Sequence, residues 1–420
     1  MLDSKFIFEN VGRVRDAIKY KKITLDLDEL ISLDEKRRKF TREVEEIQRR
    51  RNEHTAQVKQ AGKPTAEMIA SGKKIKDSLV GLEPKLKTIE AKLSKMMLLV
   101  PNVYSEDTPI GSDESDNKEL RKVGEIPSFD FTPKSHDEIG KDLDIIDIER
   151  GVKVAGFRGY YLKNDLLMLQ WALFSYCLRK MHDKGFTMML TPTMVHEMAL
   201  IGSGHFPAGK EEVYTVDDNF LVGTSEPALL AYRADEMIDR SELPLKYCGI
   251  SPCYRREIGS YGKDTKGLYR VHEFWKIEQV VFCENDLSVS MPLFEEMLSY
   301  AEEILQELAL PYRVLAICTA DMGPGKYKMY DLETWMPSRK SYGETHSCSH
   351  LTDWQSRRLH IRYKDASGKT VHPHAMNNTV VASPRILIAI LENYQQADGT
   401  VAIPKVLQPY MNGQTLIGRG

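Results

Sequence analysis

Apolar residues in the first hundred positions recur at helical spacing. Leu30, Leu33, Phe40, Val44, Ile47 and Val58 mark one stripe, with Arg37, Arg51 and His54 in its remaining slots. A cleaner stripe follows through Met68, Ile75, Leu79, Leu82, Leu86, Ile89, Leu93, Met96 and Val100. Between them lies Ala61-Gly62-Lys63-Pro64, where glycine suits a helix end and proline a helix start. Two long helices joined by so short a turn predict an antiparallel coiled-coil hairpin over about residues 30–98, within an N-terminal domain of residues 1–100.

The pattern then changes twice. Residues 101–128 are rich in Asp, Glu, Ser, Gly and Pro and read as a polar linker without a core of its own. From residue 129 to 420 strand-like and helix-like runs mix. Thr187–Leu190, Val280–Phe282 and Arg358–Tyr363 read as strands; Asn164–His182, Met291–Leu308 and Pro384–Tyr394 read as helices. The runs lack regular strand–helix alternation, so the expected class is α+β, with an antiparallel sheet flanked by helices behind the helical hairpin.

Composition adds boundaries. Of 420 residues, 42% are hydrophobic and 28% charged, and no apolar run approaches the roughly 20 residues that span a bilayer. The opening Met1-Leu2-Asp3-Ser4-Lys5 lacks a secretory pattern, and the six cysteines form no Cys-x-x-Cys pair. A cytoplasmic protein without a membrane partner is expected. The net charge of −3 hides a local excess: between Glu35 and Lys63 ten basic residues, including Arg37, Arg38, Arg49, Arg50 and Arg51, face five acidic ones. A solvated coiled-coil flank and a rod lying along a phosphate backbone both fit that excess.

No glycine-rich phosphate loop of the Walker or Rossmann type occurs, so any nucleotide is held by side chains. Tyr254-Arg255-Arg256-Glu257, a glycine-containing stretch over Gly259–Asp264, and Gly267-Leu268-Tyr269-Arg270-Val271-His272-Glu273-Phe274 suggest a hairpin. Its strands would carry Arg255, Arg270 and Phe274, two guanidinium forks for phosphate and a ring for a purine. An isolated Arg-x-Glu is weak evidence and is more simply explained by a surface salt bridge.

Spacing lifts this segment above that level. With Lys276-Ile277-Glu278 after it, the segment resembles motif 2 of the class II aminoacyl-tRNA synthetases, in the form typical of the seryl-tRNA synthetase family. Gly185–Pro192 resembles motif 1, and Asn378–Arg385 running on to Gln395 resembles motif 3. Tyr330–Ser338 and Thr352–Arg358 resemble further signatures of that family, so the likeness covers nearly the whole chain.

The resemblance implies ATP-dependent activation of L-serine and its transfer to tRNA(Ser), with tRNA(Sec) as a further substrate. It implies a homodimer, an arm that binds tRNA, and ATP with Mg²⁺. It assigns Arg255 to the α-phosphate, Glu257 to the nucleotide, Phe274 to the adenine ring and Arg385 to the γ-phosphate, making Arg255, Glu257 and Arg385 the catalytic set. Arg256, Arg270, Val271, Thr345 and His346 fall on the ATP side, and Glu344 and Ser347 match Mg²⁺ ligands. Thr224, Ser225, Glu226, Arg255, Glu278, Asn378 and Thr379 fall on the serine side, Glu278 opposite the ammonium and Thr379 opposite the hydroxyl.

Two positions depart from the family pattern. Ser225 stands where alanine is usual, and Glu344-Thr345-His346-Ser347 replaces Glu-aliphatic-Ser-Ser. In a regular strand Glu344 and Ser347 point to opposite faces, so their joint role requires a bulge or a bridging water. The same alternation places His346, Cys348 and His350 on one face, near His372 and His374, which opens a rival reading as a zinc site. The motifs are also open to a class II synthetase for threonine or proline, against which the hairpin arm and the setting of Thr379 speak. A synthetase-like paralogue that binds RNA or protein without charging tRNA would have little use for Arg255, Glu257, Glu278, Glu344 and Arg385 together.

Overall fold

Four helices build residues 2–100: α1 (Ser4–Glu9), α2 (Val11–Tyr20), α3 (Leu27–Ala61) and α4 (Ala66–Leu99). The computed structural model describes residues 1–258 and 266–419. The α3/α4 pair is the expected antiparallel hairpin. Asp26 caps α3 by accepting from Glu29 N, and Gly62 ends it at φ 72°, a conformation glycine adopts without penalty. Thr65 then caps α4 by accepting from Met68 N. Each long helix extends about 50 Å. Leu27, Leu30, Val44, Leu79 and Leu93 are buried along the seam. Near the turn His54 replaces an apolar knob and bonds across to Met68 O at 2.9 Å.

Residues 101–420 form the second unit. Its main elements are β1 (Lys118–Val123), α5 (Asn164–Asp183), β2 (Thr187–Leu190), α6 (Glu226–Ala231), β3 (Leu245–Tyr254), β4 (Glu273–Cys283), α7 (Leu287–Glu307), β5 (Tyr312–Ala316), β6 (Lys328–Met336), β7 (Ser341–His350), β8 (His374–Ala382) and α8 (Arg385–Asn393). The eight strands form one sheet in the order β1-β5-β6-β7-β8-β4-β3-β2, antiparallel except for the β2/β3 pair. On one face Leu169, Leu173, Phe294, Leu298, Leu305, Leu387 and Leu391 from α5, α7 and α8 close the core over Ile277, Leu332 and Val381. The opposite face of β3, β4, β7 and β8 carries the polar groups of the site.

Two expectations change. The stretch 101–128 is no coreless linker: β1 pairs with β5 at the sheet edge, and buried Asn102 donates to Gly325 O and Leu351 O at 3.1 and 2.8 Å. Arg358–Tyr363 is not a strand. Trp354–Arg358 is helical, with buried residues on consecutive turns, and the strand begins only at Arg362. Among the described residues no helix is long and apolar enough to cross a membrane, and the six cysteines are free and buried.

Candidate active site

The site is built from alternation on β4. Phe274, Lys276 and Glu278 share one face, and their exposure falls from 9% to 8% to 2% along the strand, from the mouth of a cleft to its floor. Thr379 of β8 lies opposite Glu278 in register. The cleft is lined by Arg255, Glu257, Tyr269, Arg270, Val271, Phe274, Lys276, Glu344, Thr345, Thr379 and Arg385, among others. Arg255 and Arg270 lie on the segment between the strands rather than within β3 and β4, whose bounds are Tyr254 and Glu273. The glycine-containing turn at 259–264 lies outside the described residues.

The cations are held in place by backbone oxygens and carboxylates. Arg255 donates to Gly223 O at 3.1 Å and lies over the Phe274 ring. Arg270 pairs with Glu257 at 2.7 Å. Arg385, at the start of α8, donates to Tyr269 O at 3.1 Å and Glu344 O at 2.9 Å, and its guanidinium stacks on the Tyr269 ring at 4.5 Å. It also reaches the Glu344 carboxylate at 3.2 Å. Desolvation in the cleft works to raise the Glu344 carboxyl, whose side chain keeps 48% of its surface exposed, but Arg385 and Arg255 outweigh it and hold the group below its ordinary range.

The bulge required by Glu344 and Ser347 is present. On β7 the pairing passes from Leu332/His346 to Glu333/Glu344, so Thr345 is an extra residue against β6. Glu344 and Ser347 therefore share a face with Asp331 and Glu333, their partners across β6. Asp331 Oδ1 is buried without a hydrogen-bond partner. Burial and the neighbouring Glu344 push the Asp331 carboxyl well above its usual range, against a hydrogen bond from Ser347. Two carboxylates and a hydroxyl crowded on one face are the hard-oxygen donors that Mg²⁺ takes together with phosphate oxygens, so these residues fit the ion.

His346 does something else. The β7/β8 pairing stops at Cys348/Asn378, and beyond it His346 spans the gap, its Nε2 donating to Val380 O at 3.1 Å. Val380 is itself the extra residue of a second bulge, opposite Ile277 and Glu278. Burial lowers the His346 pKa to about 4, so the ring is neutral and away from the phosphate side. This corrects its expected place on the ATP side. Zinc finds no support: among the described residues no group of three or more His, Cys, Asp or Glu side chains could hold a metal ion. His350 and His374 are buried, and His374 bonds Ser290 Oγ at 2.9 Å.

On the serine side the residues divide. Thr224 Oγ1 accepts from Lys276 Nζ at 3.3 Å, and Lys276 forms an ion pair with Glu278. Burial raises the Glu278 carboxyl above its ordinary range, and Lys276 acts against that rise. Glu226 is buried at the start of α6, where its Oε1 accepts from Gln355 Nε2 at 2.7 Å and Asn377 Nδ2 at 2.8 Å. Burial opposes its charge, yet Lys326, His205 and Gln355 hold it below the usual carboxylate range. Ser225 sits behind this layer, bonded to Gly249 O.

Asn378 is on the wrong face. Its Nδ2 donates to Met297 O at 2.7 Å and Gln279 Oε1 at 3.1 Å, toward α7, while its neighbour Asn377 faces Glu226. Arg256 is exposed and bonded through its backbone to Glu212 O rather than lining the cleft. Arg37, Arg38, Arg49, Arg50 and Arg51 all belong to α3. Arg37 and Arg38 are tied to buried Asp34, and Arg49 and Arg50 to Glu46. Lys276, Asn377, Gln355, Tyr269 and Asp331 were not singled out from the sequence. The period of two on β4 was a sufficient signal for Lys276.

An antiparallel sheet with an arginine after one strand, a second arginine opening a helix, and acidic oxygens on the strand between them defines a class II aminoacyl-tRNA synthetase core. Comparison with known proteins agrees. Residues 213–394 match the tRNA synthetase class II core domain (G, H, P, S and T), and residues 1–104 match the seryl-tRNA synthetase N-terminal domain. The serine–tRNA ligase of Deinococcus radiodurans is 46% identical, with 100% of this chain and 99% of that protein covered. The seryl-tRNA synthetase of Pyrococcus horikoshii, solved in complex with ATP, superposes with a TM-score of 0.92 at 36% identity over the whole of both chains. The cytoplasmic serine–tRNA ligase of Naegleria fowleri, solved with AMP, gives 0.87 at 32%, covering 98% of this chain and 96% of that one. This chain belongs to the seryl-tRNA synthetase family.

Proposed function

We propose that the chain activates L-serine with ATP to seryl-adenylate and transfers serine to the 3′ end of tRNA(Ser), with tRNA(Sec) as a second acceptor. The observation that carries this reading is the cleft in which Arg255, Phe274 and Arg385 meet Lys276, Glu344 and Thr379. Activation needs positioning and positive charge rather than a nucleophilic side chain, because the serine carboxylate itself attacks the α-phosphate while pyrophosphate departs. Arg255 holds the α-phosphate, Phe274 stacks on adenine, Glu257 reads the nucleotide and Arg385 takes the γ-phosphate. Glu344 and Ser347, beside Asp331, would hold Mg²⁺, which would supply charge neutralisation on the phosphates. Glu278 and Thr224 take the serine ammonium, Glu226 is held behind them by two amides, and Thr379 meets the hydroxyl. A substrate without that hydroxyl leaves Thr379 unpaired, which disfavours alanine.

The basic α3/α4 arm binds tRNA, and the protein works as a cytosolic homodimer. Supporting the dimer is a strip of exposed apolar side chains on α5 and β2: Leu167, Met168, Trp171 and Leu190, the last 78% exposed. Serine-dependent ATP–pyrophosphate exchange tests the activity, and no exchange above that with threonine or alanine refutes it. Deleting about residues 30–98 is expected to abolish tRNA charging and spare exchange; loss of both makes the arm structural.

A further inference from the structure

Lys276 takes no part in the activation chemistry described above, yet it stands at the centre of the cleft. It lies between Phe274 and Glu278 on the site face of β4, 8% exposed. Its Nζ contacts the Glu278 carboxylate and donates to Thr224 Oγ1 at 3.3 Å. These are the two groups proposed above to receive the substrate ammonium, and they come from different elements. An ammonium carries three donors; two are committed here, leaving one for the cleft that Lys276 lines.

The surroundings of Glu278 explain why a cation is needed there. A carboxylate buried without a partner takes up a proton rather than stay charged. The titratable groups that bear on Glu278 are Lys276 on its own strand, Glu226 of α6, Lys326 and the Cys253 thiol of β3, with the thiols of Cys248 and Cys348 on the opposite face of the sheet beside Gln279 and Asn378. Glu226 and burial favour the neutral form; Lys326 and, more strongly, Lys276 oppose them.

We propose that Lys276 stands in for the substrate ammonium: it sits on Glu278 and Thr224 while the pocket is empty, then yields both to serine and turns its charge to the serine carboxylate. The inference rests on the reading of Glu278 as the ammonium partner. A lysine that only braces the fold would not couple serine affinity to pH. This one does, because burial and Glu226 already push the Glu278 carboxyl up and Lys276 is the strongest group acting against that rise.

The test measures serine and ATP KM by ATP–pyrophosphate exchange from about pH 6 to pH 8, on the full chain and its Lys276→Met and Lys276→Arg variants, with melting temperatures alongside. The parent is expected to hold a flat serine KM. Lys276→Met is expected to keep the parental ATP KM while its serine KM climbs as pH falls, approaching about tenfold per pH unit. Lys276→Arg is expected to restore the flat profile even where kcat drops. A Lys276→Met serine KM that tracks the parent at every pH overturns the proposal, as does a joint, pH-independent rise in both KM values. If Lys276→Met fails to fold, adding Glu278→Gln is expected to restore folding by replacing the buried carboxyl that lost its cation, and no restoration also overturns it. A parent without serine-dependent exchange instead strikes the proposed function, so the two failures are separable.

Discussion

Replacing Gln355 by leucine removes one of two amides that hold Glu226 without greatly changing side-chain volume. Gln355 Nε2 donates at 2.7 Å to Glu226 Oε1 and at 2.9 Å to Ser203 O, and the residue is fully buried. Its own Oε1 has no hydrogen-bond partner, so leucine strands nothing on that side. What it strands is the Ser203 carbonyl and one of the two donors to the Glu226 carboxylate. A hydrogen bond to a charged group contributes about 1.5–3 kcal/mol. At about 1.4 kcal/mol per decade, the loss corresponds to roughly 10–150-fold in serine KM. Asn377 remains at 2.8 Å, which favours the lower part of that range. The ATP KM is expected to stay at its parental value, because Gln355 touches none of the groups lining the nucleotide part of the cleft. Exchange assays over a serine titration at saturating ATP, with a melting curve as a control, read this directly. A variant with the parental melting temperature and the parental serine KM would refute the reasoning, since the groups proposed to meet serine would then need no amide-held Glu226 behind them.

Further predictions concern charge, pH and assembly. Arg385→Gln is expected to lower kcat for exchange by about 10²–10³-fold, the scale of losing a preorganised charged donor; Arg385→Lys recovers only part, because the planar fork serves Tyr269 O, Glu344 and the Tyr269 ring together. Buried His346, His350 and His374 titrate at about 4, 3 and 4, below their ordinary 6.5. The unfolded chain therefore binds more protons once pH falls beneath 6.5, and stability drops from there toward pH 4 by up to about 1.4 kcal/mol per unit per histidine. Melting temperatures across that range check the slope, and His346→Gln is expected to make it shallower. Trp171→Glu together with Leu190→Glu is expected to yield monomers in sedimentation or light scattering; an unchanged mass places the dimer surface elsewhere.

What could be read in advance follows from how each residue meets its surroundings. Arg255, Phe274, Glu278 and Arg385 were legible because the motif fixes their spacing around chain reversals. The α3/α4 hairpin was legible because its seam repeats over nine turns or more. Asn378 was misplaced by one residue: the bulge at Val380 breaks the alternation beside it, and only the pairing of β8 with β4 reveals which asparagine turns inward. The edge strand β1 was missed because Lys118–Lys122 is exposed on both faces, so no alternation of burial marks it. Charged residues on such an edge discourage pairing with other chains and look like a linker in sequence. The grouping of Asp331 with Glu344 and Ser347 was hidden for a different reason, since its members meet only across two strands.

The extra residue at Thr345 also bears on how this protein could change over generations. Because the bulge aims Glu344 and Ser347 the same way while His346 turns to the interior, a substitution at 346 is judged by how well it fills the β7/β8 gap and meets Val380 O. Glu344 and Ser347 answer instead to Arg385 and Asp331 on the other face. One short stretch thus separates two kinds of constraint, and the imidazole at 346 sits where it does not crowd Glu344 or Ser347.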